Sequence, residues 1–233
     1  NIAKTKNFYL GQAWALVHIT EVQIEQDQLV KAEQTATRLS KIAMLANDTL
    51  LNCISLLQLG QIKMYEDDPD QAILLIDKSI TSGLGKFMNQ YLALAFNDLG
   101  YSWGLKAEYE RQALFTHKSL GVYEDLKNDA GIAMTLGNLS TVYYQLGQKE
   151  KAIEYGKRSL KYREKANDIA KMSITCCNLS QYYLGISEAE ATKYKDLCIK
   201  YSLQSGDNAR IIHSYITSSL IANAQKNNKE AFG

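Results

Sequence analysis

His18, His117 and His213 are the three histidines of this chain, and Cys53, Cys176, Cys177 and Cys198 are its four cysteines. These side chains are the ones best able to act as bases, nucleophiles or metal ligands near neutral pH. Their spacing supports none of those roles. The histidines fall on separate stretches, with no carboxylate or hydroxyl at a matched interval, so no catalytic triad can be drawn. The cysteines form no C-x-x-C motif and have no histidine nearby in sequence, which removes the common zinc patterns. Cys176 and Cys177 are adjacent and make awkward disulfide partners. All four cysteines are therefore expected to be small buried apolar residues. No glycine-rich phosphate loop is present. The expectation is a protein that works without a cofactor, a metal or a catalytic centre.

What recurs instead is hydrogen-bonding chemistry. Asn138-Leu-Ser140 and Asn178-Leu-Ser180 stand forty residues apart. Both are formal N-glycosylation sequons. Each serine, however, belongs to a row of small residues expected to pack helix against helix, so a glycan there would break the fold. The interval points to a repeat. Leu59, Leu99, Leu139 and Leu179 share it, as do Gly60, Gly100, Ser140 and Ser180. Ser79, Ser119 and Ser159 form another row, with Cys198 one residue early. Ala32, Ala72, Ala152, Ala191 and Ala231 form a third, with Gln112 as the exception.

Each period carries two helical patterns. In the first, apolar residues fall at i, i+3 and i+7 with a small residue at i+4, as in Leu136, Leu139, Ser140 and Tyr143. In the second, Ala152, Ile153, Ser159, Leu160 and Tyr162 make the buried stripe. Between them Gly147 suits a helix C-cap. Asp68 is expected to cap the next helix, with the only proline, Pro69, at its first position. The sequences AND (46–48), KND (127–129), AND (166–168) and SGD (205–207) read as a helix stop followed by an Asp N-cap. The fold expected is all-α: a right-handed α-solenoid of at least ten antiparallel helices, with Leu59, Leu99, Leu139 and Leu179 buried. Residues 1–233 are read as one array, with repeats at 8–47, 48–87, 88–127, 128–167, 168–206 and 207–233. The last repeat stops just after a second helix begins, so the natural protein is expected to continue beyond Gly233.

Composition agrees. The 46% apolar and 22% charged residues are globular values. A net charge of +1 argues against a general nucleic-acid or anionic-membrane surface. No apolar stretch is long enough to span a bilayer. The compartment is left open between the cytoplasm and the periplasm, the latter if the chain is the sensor region of a membrane-anchored regulator.

These rows resemble the tetratricopeptide repeat, whose W-x2-L-G-x2-Y…A arrangement is matched by Phe96-x2-Leu99-Gly100-x2-Trp103. Leu136-x2-Leu139-Ser140-x2-Tyr143 with Ala152 matches it again, and so does Leu56-x2-Leu59-Gly60 followed by Ala72-x3-Ile76. Gly156 departs from the pattern by replacing a large residue, Gln112 by replacing the alanine. The first repeat is held only by Leu16, Ile19, Ala32 and Leu39. The period of forty exceeds the 34 of the common repeat. Long repeats of this kind are similar to spindle-orientation scaffolds, to Rap-type peptide receptors and to sensor regions of bacterial regulators.

The resemblance implies that the first helix of each repeat lines a concave groove for a protein or an extended peptide. The row one residue before the leucines, His18, Gln58, Asp98, Asn138, Asn178 and Ser218, would face that groove. So would Gln61, Tyr101, Thr141 and Gln181. Amides spaced one repeat apart can satisfy peptide N–H and C=O groups whatever the peptide's sequence. The chain is therefore expected to be a protein- or peptide-binding module of a larger regulator. A pure scaffold is the alternative. A Rap-like phosphatase ranks last, because it would need a separate N-terminal bundle carrying a catalytic glutamine and the repeat register already starts near Trp14.

Overall fold

The computed structural model describes the backbone of residues 2–87 and 89–232, and the side chains of residues 8–87, 89–224 and 226. The helices are α1 (Ile2–Glu25), α2 (Leu29–Ala46), α3 (Thr49–Tyr65), α4 (Pro69–Ser82), α5 (Gln90–Leu105) and α6 (Tyr109–Asp125). They continue as α7 (Asp129–Gln145), α8 (Lys149–Lys165), α9 (Ile169–Tyr182), α10 (Glu188–Ser205) and α11 (Asn208–Phe232). A 3-10 turn at Leu84–Lys86 follows α4, and no strand occurs among the described residues. None of these helices is long and apolar enough to cross a membrane.

Helix ends set the rhythm. Asp27, Asn47, Asp67, Ala107, Lys127 and Asn167 adopt positive φ, and Gly147 does the same at 73°. All seven lie at multiples of twenty residues from one another. Each reverses the chain after a helix. At the end of α8, Asn167 N donates to Glu164 O and Asp168 N to Arg163 O, both at 3.0 Å, the paired bonds of a Schellman cap. The next helix is then capped by a side chain. Asp48, Asp68, Asp168 and Asp207 accept from the backbone N–H three residues on, and Pro69 opens α4. In KND the cap is Asn128, which accepts from Gly131 N at 2.9 Å, while Asp129 is already the first helical residue. The expected Asp cap is off by one there because position 128 is the one in register with Asp48 and Asp168.

The chain forms two compact units, Asn1–Leu126 and Lys127–Gly233. In the first, α1/α2, α3/α4 and α5/α6 pair, with α2 on α3 and α4 on α5. In the second, α7/α8 and α9/α10 pair, α8 packs on α9, and α11 closes against α9 and α10. The pairs are joined by one recurring bond. Ser79, Ser119 and Ser159 each donate, at 2.7 Å, to a carbonyl 26 residues earlier: Cys53, Ala93 and Ala133. A buried hydroxyl thus meets an acceptor on the partner helix, where only a small side chain fits. The fold is the all-α array of consecutive helix pairs that the rows imply.

Leu99, Leu139 and Leu179 are buried, whereas Leu59 is only half-buried and Ile19 is exposed. Val17 and Leu57 take the core positions instead. The cause is that α3 turns Leu57 and Gln58 inward, with Gln58 Nε2 donating across to Val17 O at 2.9 Å. Gln112 fits the alanine row because Gly104 lies opposite, where a Cβ would collide with the Gln112 side-chain amide. The side chain of Ala231 lies outside the described ones, but its backbone belongs to α11, one unbroken helix over Asn208–Phe232, so no second helix begins there as the alanine row implies. The cysteines need the largest correction. Cys53 and Cys176 are free and buried, but Cys177 and Cys198 form a disulfide between α9 and α10, with Cα atoms 5.0 Å apart. Cys198 stands on the serine row, so its partner lies directly across the helix pair, and the neighbour Cys176 is not the relevant mate.

Candidate functional site

The polar row expected to line a groove divides sharply between the two units. In the first, α3 and α5 carry Gln58, Gln61, Asp98 and Tyr101. Gln58 is 2% exposed and Asp98 5% exposed. Gln58 is engaged with Val17 O, leaving its Oε1 buried without a hydrogen-bond partner. Asp98 accepts from Gln61 Nε2 at 2.7 Å and from Asn97 Nδ2 at 3.2 Å. Gln61 is therefore also committed, as a brace from α3 to α5. Burial pushes the Asp98 carboxyl up to about 6, against the bonds from Gln61 and Asn97, which favour its charged form. Burial, with the Asp98 charge second, pushes the nearby Tyr123 hydroxyl up to about 12. Tyr101 stays half-exposed. Gln58 and Asp98 thus act inside the fold of this unit and do not present free amide or carboxylate groups to a partner. His18, at the equivalent place on α1, is exposed and meets Glu21 Oε2 at 2.9 Å.

In the second unit the same register is differently arranged. Asn138 and Asn178 are half-buried on α7 and α9, neighbouring helices in this unit. Thr141 is exposed, donates to Gly137 O at 3.3 Å and accepts from the Tyr182 hydroxyl at 3.4 Å. Gln181 is half-buried on the last turn of α9. The structure thus brings Asn138, Thr141, Asn178 and Gln181 onto two adjacent helices, each accessible in part. Beneath them, small residues keep α7, α8 and α9 close. Gly156 has Leu179 Cδ2 and Ser140 Oγ within 2.9 Å of where a Cβ would stand. Its lack of a side chain, a departure from the repeat pattern, is what admits Leu179.

One residue of this unit is not among those that the repeat rows single out. Arg163, on the last turn of α8, is only 9% exposed. It continues the stripe Ala152, Gly156, Ser159, Leu160, and that spacing is the signal that could have found it. Its Nη1 donates to Lys171 O at 2.7 Å and to Thr175 Oγ1, both on α9. Its Nη2 lies against Gly137 on α7, 2.8 Å from the position of a Cβ there. Burial lowers the guanidinium pKa from its ordinary value, with Asp168 partly opposing. No group of three or more His, Cys, Asp or Glu that could hold a metal ion occurs among the described residues.

Helix pairs with a small-residue seam, Schellman turns and a row of polar residues on the first helices define a tetratricopeptide-like helical repeat protein. Solved structures share this fold at low identity. Aspartyl phosphate phosphatase F from Bacillus subtilis is 14% identical with a TM-score of 0.77, over 97% of this chain and 61% of that one. A Rap protein complexed with Competence and Sporulation Factor is 13% identical with a TM-score of 0.69, over 94% of this chain and 68% of that one. A STAND protein with a tetratricopeptide repeat sensor, from Pyrococcus horikoshii, is 16% identical with a TM-score of 0.68, over 89% of this chain and 36% of that one. The chain spans about three fifths of the phosphatase's length. No family model matches the chain, and no curated protein matches it.

Proposed function

We propose that this chain is a protein- or peptide-binding module that serves as the sensor or interaction region of a larger, bacterial regulatory protein. It binds an extended segment and performs no catalysis itself. The observation that carries this reading is the matched placement of Asn138 with Thr141 and Asn178 with Gln181, one repeat apart on adjacent helices. An extended backbone offers alternating donors and acceptors, and amides can serve either. Gln58 and Asp98, at the equivalent places of the first unit, are buried, whereas Asn138 and Asn178 are half-buried, which favours α7 and α9 as the binding face. Two of the similar structures support the wider role: one is a Rap protein in complex with a factor, and another is a repeat sensor within a much longer chain.

The test begins with linear peptides selected by display on the wild-type protein. Calorimetric titration then compares wild type with the Asn138→Ala/Asn178→Ala double variant. Each lost hydrogen bond should cost about 0.5–1.5 kcal/mol. Affinity should therefore fall by roughly tenfold or more, with the melting temperature little changed. Equal affinity in a folded double variant would place peptide binding elsewhere.

A further inference from the structure

We infer that the Cys177–Cys198 disulfide is a redox-sensitive clasp: once reduced by a cellular dithiol, it loosens α10 from α9 and weakens the binding face. This rests on the peptide-binding reading above and adds its regulation. The clasp shows as a break in the repeat. In the pairs α3/α4, α5/α6 and α7/α8, a row serine donates at 2.7 Å to a carbonyl 26 residues earlier. On α10 that row carries Cys198, and on α9 Ser173 takes the place of the acceptors Ala93 and Ala133. The bond between these two runs backwards, with Ser173 Oγ donating to Cys198 O at 3.3 Å. That is longer than the roughly 2.5–3.0 Å of an ordinary O–H···O bond. The covalent link from Cys177 to Cys198, which are 21 residues apart in sequence, stands where the other pairs have their serine bond. A crosslink restricts the loosened states of the loop it closes, and that restriction goes when it is cut.

Position ties the clasp to the binding face. Cys177 is the residue before Asn178 on α9. Cys177 and Cys198 share one buried cluster with Leu179, Tyr182 and Tyr194. Tyr182 carries that cluster to α7, since its hydroxyl donates to Thr141 Oγ1 at 3.4 Å. Tyr183, at the end of α9, stacks on Tyr194 of α10 with ring centroids 5.6 Å apart. Release of α10 therefore removes support from α9 on the side away from α7. Asn178 and Gln181 are then no longer held in fixed spacing to Asn138 and Thr141.

The reaction is thiol–disulfide exchange. A thiolate of the dithiol attacks one sulfur of the bridge, forms a mixed disulfide and expels the other cysteine as a thiolate, which takes up a proton. The second thiol of the reductant, as its thiolate, then displaces the remaining cysteine, which is protonated in turn. The protein gains two electrons and two protons; the dithiol gives up both and becomes a disulfide. Cys177 and Cys198 are each 1% exposed, so attack requires a local opening of α10 and of α11, which packs on α9 and α10. Neighbouring Cys176 does not compete. Burial pushes its thiol up to about 12, so it stays protonated and cannot attack the bridge.

The test compares oxidised protein with protein reduced under native conditions by dithiothreitol, the thiols being located by alkylation and mass spectrometry. Reduction should expose Cys177 and Cys198 to alkylation while most of the helical content stays. Amide exchange in α9 and α10 should quicken by about tenfold or more, with α3–α6 unchanged, and reoxidation should restore the slow rates. The display-selected peptides should bind the reduced protein roughly tenfold more weakly than the oxidised one. Cys177→Ala/Cys198→Ser should bind them equally in both buffers, and Cys176→Ser should switch as wild type does. The wild-type protein in its two redox states carries the test even if a variant misfolds. Identical exchange and affinity in the two states, a bridge that resists dithiothreitol in the native protein, or loss of the whole helical signal on reduction would overturn the clasp. Exchange that switches with redox state while peptide binding ignores Asn138→Ala/Asn178→Ala keeps the clasp and discards the backbone reading. Binding that needs those amides but is equal in both redox states does the reverse.

Discussion

Alanine at Gly121 and alanine at Gly156 should act in opposite directions, although both glycines lie inside helices, in α6 and α8. At Gly121 an added Cβ meets nothing within 4 Å. Only the helix preference of alanine over glycine remains, which stabilises by about 1 kcal/mol. At Gly156 the Cβ would stand 2.8 Å from Leu179 Cδ2 and 2.9 Å from Ser140 Oγ. Carbon atoms prefer about 3.5–4.0 Å, so Leu179 must retreat by roughly 1 Å. It has nowhere to go, since Leu179 is fully buried and Ser140 is tied to Ala152 O at 2.7 Å. Overpacking of this kind costs about 1–3 kcal/mol. After the gain in helix preference, the net change at Gly156 is a loss of up to about 2 kcal/mol. The two variants should therefore differ by roughly 1–3 kcal/mol, or on the order of 1 M in urea midpoint followed by far-UV circular dichroism. Because repeat arrays can unfold in parts, amide exchange should place the loss in α8 and α9. A Gly156→Ala protein as stable as Gly121→Ala would show that the α8–α9 seam is not packed as described.

Cys198→Ser, or reduction with dithiothreitol, should destabilise the second unit by roughly 2–4 kcal/mol, since the disulfide closes a loop of 21 residues; an unchanged melting curve would mean that Cys177 and Cys198 do not constrain α9 and α10. Asp98 should make the first unit less stable as pH rises from about 4 to 6. The folded carboxyl keeps its proton to about 6, while the unfolded one loses it near its ordinary value of 3.8. The contribution is thus fully present below the unfolded pKa and gone above the folded one. Urea midpoints at the two pH values, compared with Asp98→Asn, check this: the variant should lose that part of the pH dependence, and an identical pH profile would contradict the burial of Asp98.

Period, helix pairing and turn chemistry were determined by the sequence alone. Leucine, serine and alanine rows at an interval of forty need no tertiary information, because a helix face repeats wherever its small and apolar residues do. Pro69 and the Asp caps mark helix starts by local hydrogen bonding, which the sequence states directly. The row Gln58, Asp98, Asn138 and Asn178 was legible as a row of polar residues, but not in its detail. Whether Gln58 or Asn138 faces outward depends on how each helix is rotated against its neighbours, as α3 is against α1, which the interval cannot encode. Likewise Cys177 and Cys198 look unrelated until α9 and α10 are set side by side. Arg163 is the clearest case. In sequence it is one of several cations in KRSLKYREK; only packing between α7 and α9 shields it from water and leaves its Nε without a hydrogen-bond partner. Periodicity is a local, one-dimensional property and survives in the string of residues. Burial and charge pairing are sums over neighbours that the fold alone brings together.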